Sequence, residues 1–412
     1  MTSLQINDLK QITGKVLREI PSSAKGIEHH IHVGKRIEEL PEENRMVLET
    51  NLNRLLIHMY SNEASDIDLG GPGCAEKVWY RIHGEKKPAE LPDWLSVKET
   101  DVLLHNIITP SQRDSLLENR NLDFSHSIIN DEKQALRYRA DLYFDLEHLA
   151  LNMRKIDTEI RPFKGLGLHP EIAKALSLKY YKYGLTLVTG ITGSGKSSTL
   201  DTIIDANNRT VDSHIVIVAS PVELIHPPIR SVVRHREVGR DVPGFKEGAI
   251  QALRQDPDII VIGELRDPET IMTALEITDS GHKTFGTLHT SSAMESIERI
   301  VGEVPPTEQN RVKARLADVL TCVISQKLVP SQDGKRVLAK EVLMVTPSVR
   351  AAIRNDNVNE IYQMMAEGSE LGMITMEQDL KRLYLTGKIS KEEALNNANN
   401  KKRFLQIIEE VE

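Results

Sequence analysis

Apolar positions recur along this chain in two rhythms, one helical and one extended, and the change between them divides it. Residues 1 to about 42 are polar, broken at Pro21 and Pro41, and read as a loosely packed extension. From Glu43 a helical face appears, carried by Leu48, Leu52, Leu55, Leu56 and Met59. Residues 64–73 are rich in Ser, Asp and Gly and read as a turn region. The run 78–82 reads as a strand closed by a turn at His83-Gly84, with short helices expected at 103–108 and 112–118. Residues 135–143 and 149–154 read as paired strands. The expectation is a helix-plus-antiparallel-sheet domain over 43–158.

A stretch rich in Pro and Gly, 159–170, reads as a linker. Beyond it strand and helix alternate, as a parallel sheet requires. Strands are expected at 185–188, 214–219, 259–262 and 284–288, with a helix at 244–254. Asp267 is placed to cap a helix that has Pro268 in its first turn and Gly281 just past its end. Ser291 is expected to cap the next helix, whose Met294, Ile297 and Ile300 face inward. Helical patterns are expected from about 308 to the C-terminus, broken only by a turn at 331–334 and a strand at 336–343. The overall prediction is an α/β protein: an N-terminal α+β domain, a P-loop core over 171–345 and a helical region over 346–412.

Composition narrows the function classes. The 412 residues are 40% hydrophobic and 27% charged, the profile of an ordinary globular chain. A net charge of −8 supplies no global field to attract nucleic acid or anionic lipid. Two cysteines, Cys74 and Cys322, lie far apart, which excludes a four-cysteine zinc module and gives no sign of a disulfide framework. No basic region precedes an apolar run at the N-terminus, and no apolar run approaches the ~18 residues of a spanning helix, so a cytoplasmic protein is expected.

The chemistry centres on Gly190-Ile191-Thr192-Gly193-Ser194-Gly195-Lys196-Ser197, which fits G-x-x-x-x-G-K-[ST]. An apolar strand precedes it, and Ser198-Thr199-Leu200 opens a helix, so the loop sits at a helix N-terminus. Glycines let successive N–H groups turn inward onto phosphate oxygens. Lys196 is expected to reach the β- and γ-phosphates of ATP, and the Ser197 hydroxyl to ligate Mg²⁺. The strand 259–262 delivers Glu264 to the mouth of the sheet, placed to activate a water in line with the γ-phosphate or to hold the Mg²⁺ shell. His282 and His289 flank the next strand; a lone histidine is more often structural, and which end of the sheet each occupies is left open.

Longer strings then carry a resemblance. Residues 64–67, the P-loop, 236–241, 252–258, Gly263-Glu264-Leu265-Arg266-Asp267, 278–282 and 286–293 together resemble the ATPases of type II and type IV secretion systems, most closely the PilT-like pilus-retraction branch. That resemblance implies a PAS-like N-terminal domain, a RecA-like ATPase core, a homohexameric ring and an inner-membrane platform protein as partner. It also implies a cytoplasmic location peripheral to the inner membrane; the acidic balance and the lack of a basic-aromatic stretch point away from a direct nucleic-acid partner. It places Glu264 in a Walker B box with Arg266 as a further catalytic candidate, makes His282 and His289 a histidine box, and assigns Arg137, Arg139 and Arg154 to approach phosphate, with surface-strand arginines as the alternative. The aspartate box departs from the family pattern: Ala219-Ser220-Pro221-Val222-Glu223 retains only Glu223. Relatives of the DotB and TraJ type, and a low-turnover regulatory subunit, therefore stay open beside pilus retraction.

Overall fold

The computed structural model describes residues 6–91, 94–130 and 132–409. They fall into two compact units, one running to Thr158 and taking in Ser220–Leu224, the other comprising Glu159–Ala219 and the chain from Ile225.

The first unit contains α1 (Ile6–Arg18), α2 (Gly26–Glu39), α3 (Glu42–Ser61), β1 (Asp66–Gly70), β2 (Trp79–Ile82), β3 (Glu85–Pro88), α4 (Val97–His105), α5 (Pro110–Asn119), β4 (Asn121–Ile129), β5 (Ala135–Asp145) and β6 (His148–Lys155). Its sheet, ordered β3-β2-β1-β6-β5-β4, is antiparallel throughout. On β5 the apolar Leu136, Tyr138, Ala140 and Leu142 alternate into the core, the period of a half-buried strand. The α3 face lies over them with Leu48, Leu52, Leu55, Leu56 and Met59 fully buried, as its helical spacing predicts. Tyr80 and Tyr138 close the layer by donating their hydroxyls to the carbonyls of Leu55 and Leu56 at 3.1 and 3.0 Å.

Two expectations fail here. The region 64–73 is not only turn: β1 is an inner strand between β2 and β6. Ile67 and Leu69 face the core, while Asp66 and Asp68 tolerate the sheet because cations meet them, Arg154 at 2.8 Å and Lys86 at 2.7 Å. The N-terminal residues are not loosely packed either. Leu9 and Val16 of α1, with Val33 and Ile37 of α2, are buried in the same core as α3. Their apolar positions are sparse but fall at helical intervals, so one face suffices. His30 of α2 is buried against His105 of α4, Nδ1 to Nε2 at 3.0 Å, and its Nε2 lies 2.8 Å from the Glu147 carbonyl. Burial holds both imidazoles below their usual range, His105 well below it.

The second unit contains α6 (Pro170–Leu176), β7 (Gly184–Thr189), α7 (Lys196–Thr210), β8 (His214–Ala219), β9 (Val232–Glu237), α8 (Phe245–Ala252), β10 (Ile259–Ile262), α9 (Pro268–Asp279), β11 (Lys283–Leu288), α10 (Ala293–Gly302), α11 (Pro306–Val319), β12 (Leu320–Pro330) and β13 (Arg336–Met344). Then follow α12 (Pro347–Arg354), α13 (Glu360–Glu367), α14 (Met376–Leu385), α15 (Lys391–Asn397) and α16 (Lys401–Glu409). The sheet order is β13-β12-β7-β11-β10-β8-β9, parallel except for the β12–β13 hairpin. Every residue of β7, β10 and β11 is buried, as expected of parallel strands covered on both faces. Asp267 caps α9 by accepting from Thr270 N at 2.8 Å, as its position predicts.

Three local readings change. Residues 320–330, expected to be helical, form β12, because Cys322, Val323 and Ile324 continue a buried run straight from α11 with no Gly or Pro to mark the change. β9, between two loops, is a further strand at the edge of this sheet. The cap of α10 is Ser292, not Ser291, with Ser292 Oγ accepting from Glu295 N at 3.1 Å. The 159–170 stretch is also more than a spacer, since Leu166 is buried in the core of this unit. The C-terminal helices α14–α16 bury Met376, Leu380, Leu383, Phe404 and Ile408 against Val329 and Ala339 of the hairpin.

The docked N-terminal helices predict a measurable cost. Leu9→Ala should destabilise the first unit by about 2–5 kcal/mol. Urea denaturation followed by circular dichroism should show an earlier transition; an unchanged profile would mean that α1 contributes nothing to this core.

Candidate ATP site

β7 delivers the loop from the C-terminal edge of the parallel sheet. Gly190 follows it at φ +151°, where an added Cβ would stand 2.4 Å from Ser194 Oγ and 2.5 Å from the Gln326 carbonyl, so no other residue fits. Gly195, at φ +89°, forms the N-cap of α7 and turns the chain into the helix. Ile191, Thr192 and Gly193 are exposed along the loop rim, as are Ser197 and Ser198 at the helix start, whereas Ser194 and Thr199 are buried beneath it. The Thr199 N–H already donates to the Gly195 carbonyl at 3.0 Å, which closes the first helical turn. The loop is braced from the neighbouring strand: Gln326 Nε2 of β12 donates to the Ser194 carbonyl at 2.8 Å. Gln326 was invisible to sequence reasoning because β12 itself was.

Lys196 folds along the loop and donates to the carbonyls of Gly190 at 2.7 Å and Ile191 at 3.2 Å. Burial lowers its pKa, and the nearby Glu264 carboxylate acts in the opposite sense. Glu264 thus lies near enough to the P-loop lysine to act on it by charge, as its place after β10 predicts. Its backbone is locked on both sides: Gly263 N donates to the Val218 carbonyl at 2.8 Å, and Leu265 N to the Thr287 carbonyl at 2.9 Å. Thr287 Oγ1 donates back to the Gly263 carbonyl at 2.5 Å. His289, just past β11, brings Nε2 to 3.6 Å from Glu264 Oε1. Lys196, Glu264 and His289 therefore share one end of the sheet, with His289 3.6 Å from the Glu264 carboxylate and Lys196 within its electrostatic reach.

His282 does not join them. Its carbonyl accepts from Gly184 N, the first residue of β7, so it lies at the opposite edge of the sheet. The six residues of β11 separate it from His289 by roughly 20 Å. Its Nδ1 instead lies 3.0 Å from Ser280 Oγ and 3.3 Å from the Ile277 carbonyl, a cap on the end of α9. Arg266 is exposed between Leu265 and the capping Asp267, at the Glu264 end of the strand.

The remaining candidates lie in the first unit. Arg137 is buried and committed, donating to Ser127 Oγ at 2.7 Å and to the carbonyls of Val222 and Glu223 at 2.6 and 3.0 Å. Arg139 forms a two-pronged pair with Asp123 and reaches Glu223 Oε1 at 4.0 Å. Arg154 pairs with Asp66 at 2.8 Å. Each guanidinium thus has a partner inside its own unit, and Glu223 belongs with them.

The family description "Type II/IV secretion system protein" matches residues 41–409. The chain belongs to this family. Among its curated relatives, the type IV pilus retraction ATPase PilT of Pseudomonas aeruginosa is 36% identical over 354 residues, 86% of this chain and 100% of the relative. The crystal structure of the pilus retraction motor PilT with bound ADP superposes with a TM-score of 0.74 at 35% identity, covering 85% of this chain and 98% of that one. The Legionella pneumophila ATPase DotB superposes equally well, TM-score 0.74, at 27% identity over 88% and 96% of the two chains. The secretion-family fold is thus a RecA-like P-loop core, and the α1–α2 pair lies before the segment that the family description matches.

The cradle predicts how nucleotide affinity responds to a single methyl group. Gly190→Ala should weaken binding of a fluorescent ATP analogue at least about tenfold, because the Cβ must displace Ser194 or the β12 backbone. Wild-type affinity would show that the loop does not use this geometry.

Proposed function

We propose that this chain, an ATPase of the pilus-retraction and secretion class, converts ATP hydrolysis into movement of a membrane-embedded machine. The observation that carries the reading is the convergence of Lys196, Glu264 and His289 on the P-loop edge of the sheet. Loop N–H groups and the start of α7 bind the triphosphate, and Lys196 exchanges its carbonyl partners for the β- and γ-phosphate oxygens. Glu264 orients and deprotonates the attacking water. His289 stands beside that carboxylate, where it senses or stabilises the terminal phosphate.

A divalent ion fits this donor set in one particular way. Among the described residues no three His, Cys, Asp or Glu side chains converge on a point. The donors read from the sequence are the Ser197 hydroxyl and Glu264. That suits Mg²⁺, which keeps several waters and takes phosphate oxygens in place of a protein cage. Bound Mg²⁺ would neutralise charge on the β- and γ-oxygens.

We further assign the working form to a homohexameric ring on an inner-membrane platform protein, at the cytoplasmic face. No described helix is long and apolar enough to cross a membrane, which suits peripheral docking. Arg137, Arg139 and Arg154 reach a nucleotide only by exchanging their present partners, and a ring whose units move provides the occasion. Ala219 and Ser220 stand where the family pattern has acids, which favours a second reading: a subunit that binds ATP with little turnover and regulates an active relative. Phosphate release by purified, size-fractionated protein separates the two.

The central triad sets the mutational outcome. Glu264→Gln should bind ATP as the wild type does and hydrolyse it about 10²–10⁴-fold more slowly. His289→Ala should lower turnover more than tenfold, and His282→Ala clearly less, given the two edges they occupy. Equal losses at the two histidines, or full turnover without Glu264, would contradict the assignment.

A further inference from the structure

The C-terminal helices are tied to the loop that follows His289 through both strands of the hairpin, and the tie runs through a few polar side chains. On β12, Gln326 braces the P-loop while the next residue, Lys327, faces the other way. The Lys327 ammonium donates to the Asn397 carbonyl and to Asn399 Oδ1, both at 2.7 Å, where α15 gives way to α16. Asn399 then spans outward: its Nδ2 donates to the Ser291 carbonyl at 3.2 Å, two residues beyond His289. On the other side of that loop, Ala293 N donates at 2.7 Å to Glu341 Oε1, a carboxylate on β13 that is only 2% exposed. Glu341 also accepts from Met376 N, so one buried acid holds the N-termini of α10 and α14 together. Thr290 Oγ1 and Ser296 Oγ, 2.6 Å apart, stiffen the loop between these anchors.

A role confined to joining α15 to α16 would need no contact with residues 289–293. Lys327 is partly desolvated where it stands, a cost that its two contacts around Asn399 offset. The result is a loop after His289 held from both strands of the hairpin, from β12 through Lys327 and Asn399 and from β13 through Glu341.

We propose that Asn399, aligned by Lys327, and Glu341 are positioning residues that set His289 against Glu264, so that docking of the C-terminal helices governs the rate of ATP hydrolysis. The inference rests on the assignment of Glu264 and His289 to the ATP site. It makes α14–α16 a regulatory element: whatever lifts them from the hairpin, a partner protein or a neighbouring subunit, slows the chemical step without emptying the P-loop.

The test uses Asn399→Asp in the full chain, which keeps the volume and the contact to Lys327 but has no N–H for the Ser291 carbonyl. Backbone amides of 290–293 should exchange with deuterium about tenfold faster or more, and kcat should fall about tenfold with KM for ATP within about twofold. Lys327→Met should give the same kcat loss, and the double variant no more than either alone, since both act through one tie. Unchanged exchange overturns the proposal, as does faster exchange with wild-type kcat, a loss confined to KM, or additive losses. Wild-type and Glu264→Gln turnover measured alongside test the ATPase reading separately; if neither hydrolyses ATP, that reading fails and the exchange result alone decides the tie.

Discussion

One constraint organises the second unit: a lysine and a glutamate must face each other at the C-terminal edge of a parallel sheet without neutralising the site. Lys196 resolves this by spending its hydrogen bonds on loop carbonyls, within the field of Glu264 but not bonded to it. The strand register then does the rest. β10 lies two strands from β7 with β11 between them, so residues that follow these strands reach a common edge. Glu264 gains a fixed backbone from β8 on one side and β11 on the other, and His289 arrives from the intervening strand. A site assembled from three consecutive strand ends is rigid in its main chain and adjustable only in its side chains, which suits catalysis by preorganised charge.

The first unit manages its charge differently. Its inner strands carry Asp66, Asp68, Arg137, Arg139 and Arg154, and most of that charge is matched across strands. Arg137 donates instead to the carbonyls of Val222 and Glu223 and to the Ser127 hydroxyl. Carbonyl partners are weaker competitors than carboxylates for a guanidinium. Arg139 and Arg154 are held by the carboxylates of Asp123 and Asp66.

Much of the site was legible because its signals are short-range. The P-loop string, a buried strand ending in an acid, and the Asp267-Pro268 cap each lie within a dozen residues and obey local rules. The misreadings have physical causes too. β12 follows α11 with no breaker, so a buried strand passes for more helix, and Gln326 was lost with it. β1 looks like a turn until Arg154 and Lys86, distant in sequence, supply partners for its aspartates. The two histidines flank one strand symmetrically in the sequence, and only the extension of β11 shows that they stand at opposite edges. Helices α1 and α2 are polar on average, and their few apolar positions become informative only when a core is present to receive them.

The most direct test of this account is a crystal structure with Mg²⁺ and a non-hydrolysable ATP analogue. The account predicts Lys196 Nζ on the β- and γ-phosphate oxygens, and the Glu264 carboxylate hydrogen-bonded to a water in line with the terminal phosphorus. A carboxylate turned away from that water, with another acid in its place, would contradict it.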